Sequence, residues 1–378
     1  MLKKKFLHTV LTFAVFAAFF SAVWKKSDLF MRFDAKFFEE KFNKSQWRDP
    51  NSKEKISDAD LYIYAGTYYL NGGDITVVNP ETPPFGKYII GLILKILPYP
   101  NLLGILASLF FFVAVYLLVS KVESSPSALL VLVLLSLDPL LRMHFVGFEF
   151  LDMFYAGLLI LFVYFFYKFM KKQRALDLIL AALYLGMASG TKAFLSTWVI
   201  GLAFAFLLLF FSKIKAKVLK YAMFGAFSSL TVWGSYVRFF WNKPSLLSWL
   251  KLQKWTLNFY QIGYQKSFWY NPLSYMFVNK WLVDWQPQAI VLPYWSFLWP
   301  LAFLVFVGFF LRFSFLFLKK KAKSEDYLIV WPTAYLLFLF VNPYFWPRYI
   351  IPLLPFFYYC LYKFGEIVYK KSIYAKNK

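Results

Sequence analysis

The sequence predicts an all-α polytopic membrane protein with about ten transmembrane helices and a helical first outer loop, and three observations carry that prediction. Hydrophobic residues make up 60% of the 378 positions and charged residues 16%, where soluble domains run near roughly 45–50% and 25%. Aromatic residues reach 24%, with 48 Phe, 27 Tyr and 14 Trp. Apolar runs long enough to cross a bilayer alternate with short basic clusters. A soluble cytosolic enzyme, a disordered tail and a fibre are thereby excluded. A single cysteine, Cys360, leaves no internal disulfide and no multi-cysteine metal site, and two histidines, His8 and His144, are too few for the usual multi-histidine zinc sites. The formal charge of +23, from 42 Lys and Arg against 19 Asp and Glu, points to nucleic acid in a soluble chain. Set between apolar runs, it marks a cytoplasmic membrane face instead, and no nucleic-acid partner is expected.

Taken in order, the expected spans lie at 6–24, 101–120, 126–141, 151–170, 176–192, 194–212, 218–240, 294–317, 327–342 and 349–366. Tyr88 to Leu97 is too short to cross and is bracketed by Pro83, Pro84, Pro98 and Pro100. It reads as an interfacial or re-entrant helix. With Lys3, Lys4 and Lys5 inside, the clusters Lys168 to Arg174, Lys213 to Lys220, Lys319 to Lys323 and Lys370 to Lys378 also fall inside. The basic, apolar start also fits a signal peptide, but no small-residue cleavage site precedes Trp24. Residues 1–366 therefore read as one transmembrane domain with outer loops at 25–100 and 241–293, and 367–378 as a basic cytoplasmic tail.

The acidic residues are unevenly distributed. Ten of the 19 lie between Asp28 and Glu81, and Asp138, Glu149, Asp152 and Asp284 are expected on the same face. Keeping a long loop soluble accounts for Asp28 to Glu54. Asp58 and Asp60 differ, because they open an aromatic helical run that leads to Asn79-Pro80-Glu81-Thr82-Pro83-Pro84-Phe85-Gly86-Lys87. A carboxylate at the headgroups can act as general base on a hydroxyl whose co-substrate is a lipid. Two carboxylates two residues apart can also share a hard divalent cation. Asp152 opens a span, where helix capping competes with a chemical role. Arg142 reads as an interfacial anchor or a ligand, and His144 as a packed residue or a catalyst.

Lys192 and Arg348 oppose the charge bias of the outer face, and a cation placed there needs a counter-charge, for which a phosphate would serve. The loop 241–293 carries Trp255, Phe259, Tyr260, Tyr264, Phe268, Trp269, Tyr270, Tyr275, Phe277, Trp281 and Trp285 beside Lys251, Lys254, Lys266 and Lys280. It reads as an interfacial aromatic belt or as a lid over a lipid carrier.

In this order the segments resemble the GT-C-type polyprenyl-phosphate-sugar-dependent glycosyltransferases, such as the protein O-mannosyltransferases and the lipid A aminoarabinose transferase. Asp58 to Tyr69 is similar to the family's acid and short aromatic helix. Thr82 to Lys87 is similar to its His-Pro-Pro-Leu-Gly-Lys motif. Arg142 with Leu151-Asp152, Gly186 to Lys192, and Pro347-Arg348-Tyr349 resemble later family patterns. Two departures stand out: Ala59 replaces the second acid of the family pair, with Asp60 following, and Thr82 replaces the His. They leave Asp58 and Asp60 both open as the base. The soluble domain appended to eukaryotic mannosyltransferases is not expected in this chain.

The resemblance implies inverting transfer of a hexose, mannose among the candidates, from a polyprenyl-phosphate donor to a hydroxyl or amine of a protein, lipid or glycan. The expected place is the outer face of a prokaryotic plasma membrane, in a multi-pass protein surrounded by membrane lipids. The site it implies has Asp58, Asp60 and Asp152 as catalytic acids, Glu81, Lys87, Arg142, His144, Lys192 and Arg348 as substrate-binding groups, and Asp58 with Asp60 on a divalent cation if one is used. The competing expectation is a transporter or flippase of lipid-linked sugars, which would hold its ionisable groups near the bilayer midplane.

Overall fold

Backbone that leaves water must satisfy its own hydrogen bonds, and in this chain it does so almost entirely through helices. The computed structural model describes residues 2–24, 26–146, 150–192, 194–211, 214–262, 268–283, 286–342 and 345–376. The expectations placed on Glu149, Tyr264, Lys266, Asp284, Trp285, Pro343 and Tyr344 lie outside these residues.

The chain opens with α1 (Leu2–Val23) and passes through a loop holding α2 (Ala35–Asn43), α3 (Asp58–Leu70) and α4 (Phe85–Ile96). There follow α5 (Leu103–Val122), α6 (Ser125–Leu137), α7 (Pro139–Val146), α8 (Phe150–Lys172), α9 (Ala175–Thr191), α10 (Phe194–Phe211) and α11 (Ile214–Ser235). A second loop region carries α12 (Val237–Asn242), α13 (Leu246–Ile262), α14 (Asn271–Val278) and an antiparallel hairpin, β1 (Trp281–Val283) and β2 (Gln286–Ile290). Its register pairs Trp281 with Ile290 and Val283 with Gln286, with an irregularity between them. The chain closes with α15 (Leu298–Leu318), α16 (Val330–Val341) and α17 (Leu354–Lys376), with a 3-10 turn at Pro347–Leu353 before α17.

Each of the ten expected ranges holds a helix, but the count of ten crossings is not reached by length and hydropathy. Among the described residues, four segments are long and apolar enough alone: 6–23, 100–122, 150–172 and 298–318. The pair α6 and α7, bent by 80° at Asp138, makes a fifth when taken as one broken span. Segments 175–191, 195–208 and 326–341 are apolar but shorter. With 12 residues, α4 reaches only about 18 Å at 1.5 Å per residue, well short of the hydrocarbon core.

Burial ranks the helices. In α8, 89% of the apolar window is buried, against 17% in α1 and 11% in α15, which places α8 at the centre and the other two at the rim. α8 packs on α5 and α9, and α9 packs on α11. A second, smaller core gathers Phe42, Leu61, Ala65, Tyr69 and Val78 from the first loop with Val232, Tyr236, Phe239 and Trp249 from α11 to α13. That core holds α3 against the end of the bundle.

Candidate functional site

Local sequence fixes what the two acids of α3 do. Ser57 is the N-cap and its hydroxyl oxygen accepts the Asp60 N–H at 3.1 Å. The same hydroxyl donates to the Asp60 carboxylate at 2.7 Å, and Lys41 of α2 donates to that carboxylate oxygen, also at 2.7 Å. Asp60 is buried, and its carboxylate is committed to holding the Ser57 cap and tying α2 to the helix. Asp58 lies two residues earlier, where helical geometry turns its side chain to another face. It meets Arg348, whose Nη2 donates to Asp58 Oδ2 at 2.6 Å.

Arg348 also approaches Asp152, with its Nε 3.9 Å from Asp152 Oδ2. Asp152 in the first turn of α8 accepts from Lys192 Nζ at 2.6 Å, just past the end of α9. Four ionisable groups from α3, α8, the end of α9 and the 347–353 turn thus meet in one place. Their exposures differ: the Asp58 side chain is 43% accessible, Arg348 17%, and Asp152 only 7%. Asp58 is the acid open to an incoming molecule. Aromatic rings frame the cluster, with Lys192 over Tyr349 at 5.8 Å and Arg348 over Trp346 at 5.5 Å. Tyr62 lies beside Asp58 and Arg348, and burial, reinforced by Asp58, raises its phenol well above the ordinary value. It stays protonated and neutral.

Packing around the cluster is tight because glycines stand at the crossings. A Cβ on Gly86 would meet Leu151 at 2.5 Å and Thr191 at 2.8 Å, the residues next to Asp152 and Lys192. A Cβ on Gly190 would meet Ser235 at 2.8 Å. The starts of α4 and α8 and the end of α9 therefore converge on one point.

Other expected site residues are engaged elsewhere. Lys87 is fully buried and its ammonium donates to the carbonyls of Asn79 at 2.6 Å and Thr82 at 2.7 Å, pinning the loop before α4. Burial lowers it to about 7 against the pull of Glu81. Glu81, bonded to the Asn79 amide, is raised to about 7 by burial, with Lys87 opposing. Arg142 donates to the Ala18 carbonyl at 3.4 Å and to the Ser21 hydroxyl at 3.1 Å, tying α7 to α1. The His144 ring is buried, with Nδ1 2.9 Å from the Leu140 carbonyl one turn back. Asp138 is the hub of the α6–α7 corner, accepting from Trp299 Nε1 at 2.8 Å, the Tyr358 hydroxyl at 2.6 Å and two backbone amides.

The two carboxylates expected to share a divalent cation, Asp58 and Asp60, have separate partners in this structure. Each carboxylate has its own cation, Arg348 or Lys41, and residues two apart on a helix do not face one site. Among the described residues no group of three or more His, Cys, Asp or Glu is placed to hold a metal ion. Tyr62 and Trp346 at the cluster are not singled out by the sequence, and Trp281, expected only as part of a belt or lid, packs on Trp346. The Trp346-Pro347-Arg348 run was the available signal.

Residues 81–263 match the family model described as Dolichyl-phosphate-mannose-protein mannosyltransferase. No curated protein sequence matches the chain. Among solved structures, the fold is similar to that of ArnT from Cupriavidus metallidurans. The crystal structure bound to undecaprenyl phosphate superposes with a TM-score of 0.58 and 14% identity, covering 97% of this chain and 63% of that one. The apo crystal structure gives a TM-score of 0.56 over the same shares at 14% identity. The chain thus spans about 63% of the length of the solved structures it resembles. Its resemblance to the GT-C-type polyprenyl-phosphate-sugar glycosyltransferases holds in sequence over 81–263 and in fold over nearly the whole chain.

Proposed function

We propose that the protein transfers a sugar from a polyprenyl-phosphate carrier to a hydroxyl or amine of a protein, lipid or glycan acceptor, on the outer face of a membrane. The observation that carries this reading is the accessible Asp58 carboxylate bridged to Arg348, beside the buried Asp152–Lys192 pair. A phosphate competes directly with a carboxylate for a guanidinium, since both accept two parallel N–H bonds. When the donor phosphate takes Arg348, Asp58 is released. Its freed oxygen then accepts the proton of the acceptor as that group attacks the anomeric carbon. The anomeric C–O bond breaks, its electron pair leaves on the lipid phosphate, and the new glycosidic bond forms with inversion. Arg348 and Lys192 stabilise the leaving anion, and Asp152 holds Lys192 in place.

The position of the cluster supports an enzyme over a transporter. Asp58 is the first residue of α3, Asp152 the third of α8, and Lys192 directly follows α9, so the charges sit at helix ends and not at mid-helix. The sequence match over 81–263 supports the donor class. The undecaprenyl phosphate in the similar solved structure supports a polyprenyl carrier.

The test is to incubate purified protein with a panel of radiolabelled polyprenyl-phosphate sugars and candidate acceptors. Label should move from lipid to acceptor. Asp58→Asn should retain donor binding and slow turnover at least about a hundredfold, the scale of lost general-base catalysis. Asp60→Asn should leave turnover per folded molecule near that of the wild type. A dead Asp60→Asn beside an active Asp58→Asn would move the base by two residues. Transbilayer movement of the lipid-linked sugar without transfer would overturn the enzyme reading.

A further inference from the structure

Arg348 is held by more than its carboxylates. Its guanidinium carbon lies 5.5 Å over the ring of Trp346. Trp346 packs in turn on Trp281, with ring centroids 4.8 Å apart and planes at 48°. The indole N–H of Trp281 donates to the carbonyl of Phe345 at 2.9 Å. One buried side chain therefore fixes both the backbone entering Trp346 and the face of its ring. Arg348 thus rests on a ring whose position Trp281 helps to set.

Trp281 can act as a support because the hairpin that carries it is clamped at two points. Asn271 at the start of α14 donates to the Leu282 carbonyl at 2.6 Å and accepts the Leu282 N–H at 2.9 Å. Asn279, in the left-handed region at φ 53°, brackets Leu292 in the same way at 2.8 and 3.2 Å. Phe345 packs against Tyr275 of α14 at 6.1 Å. The hairpin is a fixed buttress against the 345–348 segment.

We propose that Trp281 is a positioning residue for the transfer reaction: through Trp346 it holds the Arg348 guanidinium between Asp58 and Asp152, ready for the donor phosphate. This rests on Arg348 being the phosphate grip proposed above. A long arginine side chain left unsupported must be ordered when the donor binds. Stacked on a fixed indole it is ordered beforehand. Trp281 acts through Arg348, so its loss should weaken donor binding by more than it slows turnover at saturating donor.

The experiment is a double-variant cycle with the full-length protein in detergent or nanodiscs, reading donor KM and kcat with a radiolabelled polyprenyl-phosphate sugar. Trp281→Leu keeps apolar volume and removes the aromatic face, and should raise donor KM by about tenfold, the scale of a partly desolvated cation–π support. Trp281→Phe keeps a ring and should fall within about threefold of wild type. In an Arg348→Ala background, Trp281→Leu should add nothing further. An equal loss in both backgrounds would make Trp281 ordinary packing and overturn the proposal. A kcat loss at unchanged KM would overturn it as well. If Trp281→Leu does not fold, Trp281→Phe and Trp346→Leu are run through the same cycle, and additive losses with Arg348→Ala again overturn it. Normal donor affinity in Arg348→Ala would instead remove the phosphate-grip reading itself, and a persistent Trp281→Leu defect there would show that it acts by another route.

Discussion

Burial forces a shared solution on Glu81 and Lys87, which stand six residues apart on either side of the Pro-Pro turn. Neither can keep a full charge out of water at ordinary cost, and both are shifted to about 7 from opposite directions. For Glu81 the folded value lies above the unfolded value of 4.5. Its contribution to stability is therefore complete below pH 4.5 and is lost as pH rises through about 7. Lys87 is lowered from 10.5, so its contribution is present above 10.5 and is lost as pH falls through about 7. Glu81→Gln keeps an amide for Asn79 and holds the neutral form at every pH. Thermal melts should show no gain from it near about pH 5 and a higher Tm than wild type near about pH 8.5, where only the wild type bears the buried carboxylate. A Tm that drops at the higher pH would mean that the ionised pair stabilises the turn. From the sequence both residues are expected as substrate ligands. Composition cannot report that a lysine will be met by two backbone carbonyls and sealed from solvent.

At the scale of elements, α3 reaches its place through one crossing. Gly66 of α3 lies against Gly91 of α4: a Cβ on Gly66 would meet the Lys87 carbonyl oxygen at 2.5 Å and the Gly91 nitrogen at 2.9 Å. On the other side, a Cβ on Gly91 would press on the Gly66 carbonyl. These neighbours are backbone and cannot rotate away, so Gly66→Ala must push the helices apart. Overpacking of this kind costs about 1–3 kcal/mol. It should also move Asp58 relative to Arg348, cutting transfer activity more than stability. Gly308→Ala, with nothing within 4 Å, is the matched control and should be silent. Full activity in Gly66→Ala would show that α3 need not sit where α4 holds it. The element pattern explains what sequence could read. Long apolar periods marked a helix in all ten expected ranges, and cations set against the charge bias pointed to Lys192 and Arg348, which do meet two of the singled-out acids. The 281–290 hairpin was invisible, because strands of three and five residues offer too little alternation. The partners of Asp60, Arg142 and His144 in the structure, Lys41, Ser21 and the Leu140 carbonyl, are not legible in motif spacing because tertiary packing or the cap sets them.

The whole molecule is polarised in charge, and α8 supplies the ruler. At 23 residues it is about 34 Å long at 1.5 Å per residue, enough to cross the hydrocarbon core. Asp152 and the candidate site sit at its first turn, and Lys171 and Lys172 at its last. Lys171 pairs with Glu325 at 3.1 Å, bringing the Lys319 to Lys323 turn to that same end. One end of the bundle thus collects basic turns, while the other holds the acid-rich loop and the four-charge cluster. The positive-inside rule then predicts basic turns in the cytosol and the candidate site outside, as the proposed outer-face transfer requires. Substituted-cysteine labelling tests this cleanly, because the native Cys360 is buried and gives little background. Lys53 in the acid-rich loop and Lys321 in the basic turn are both exposed, so access differs only by side of the membrane. On intact cells, Lys53→Cys should react with a membrane-impermeant maleimide, and Lys321→Cys should react only after the membrane is opened. The reverse pattern would put the candidate site in the cytosol, where a donor displayed on the opposite leaflet cannot reach Arg348, and the proposed outer-face transfer would fail with it.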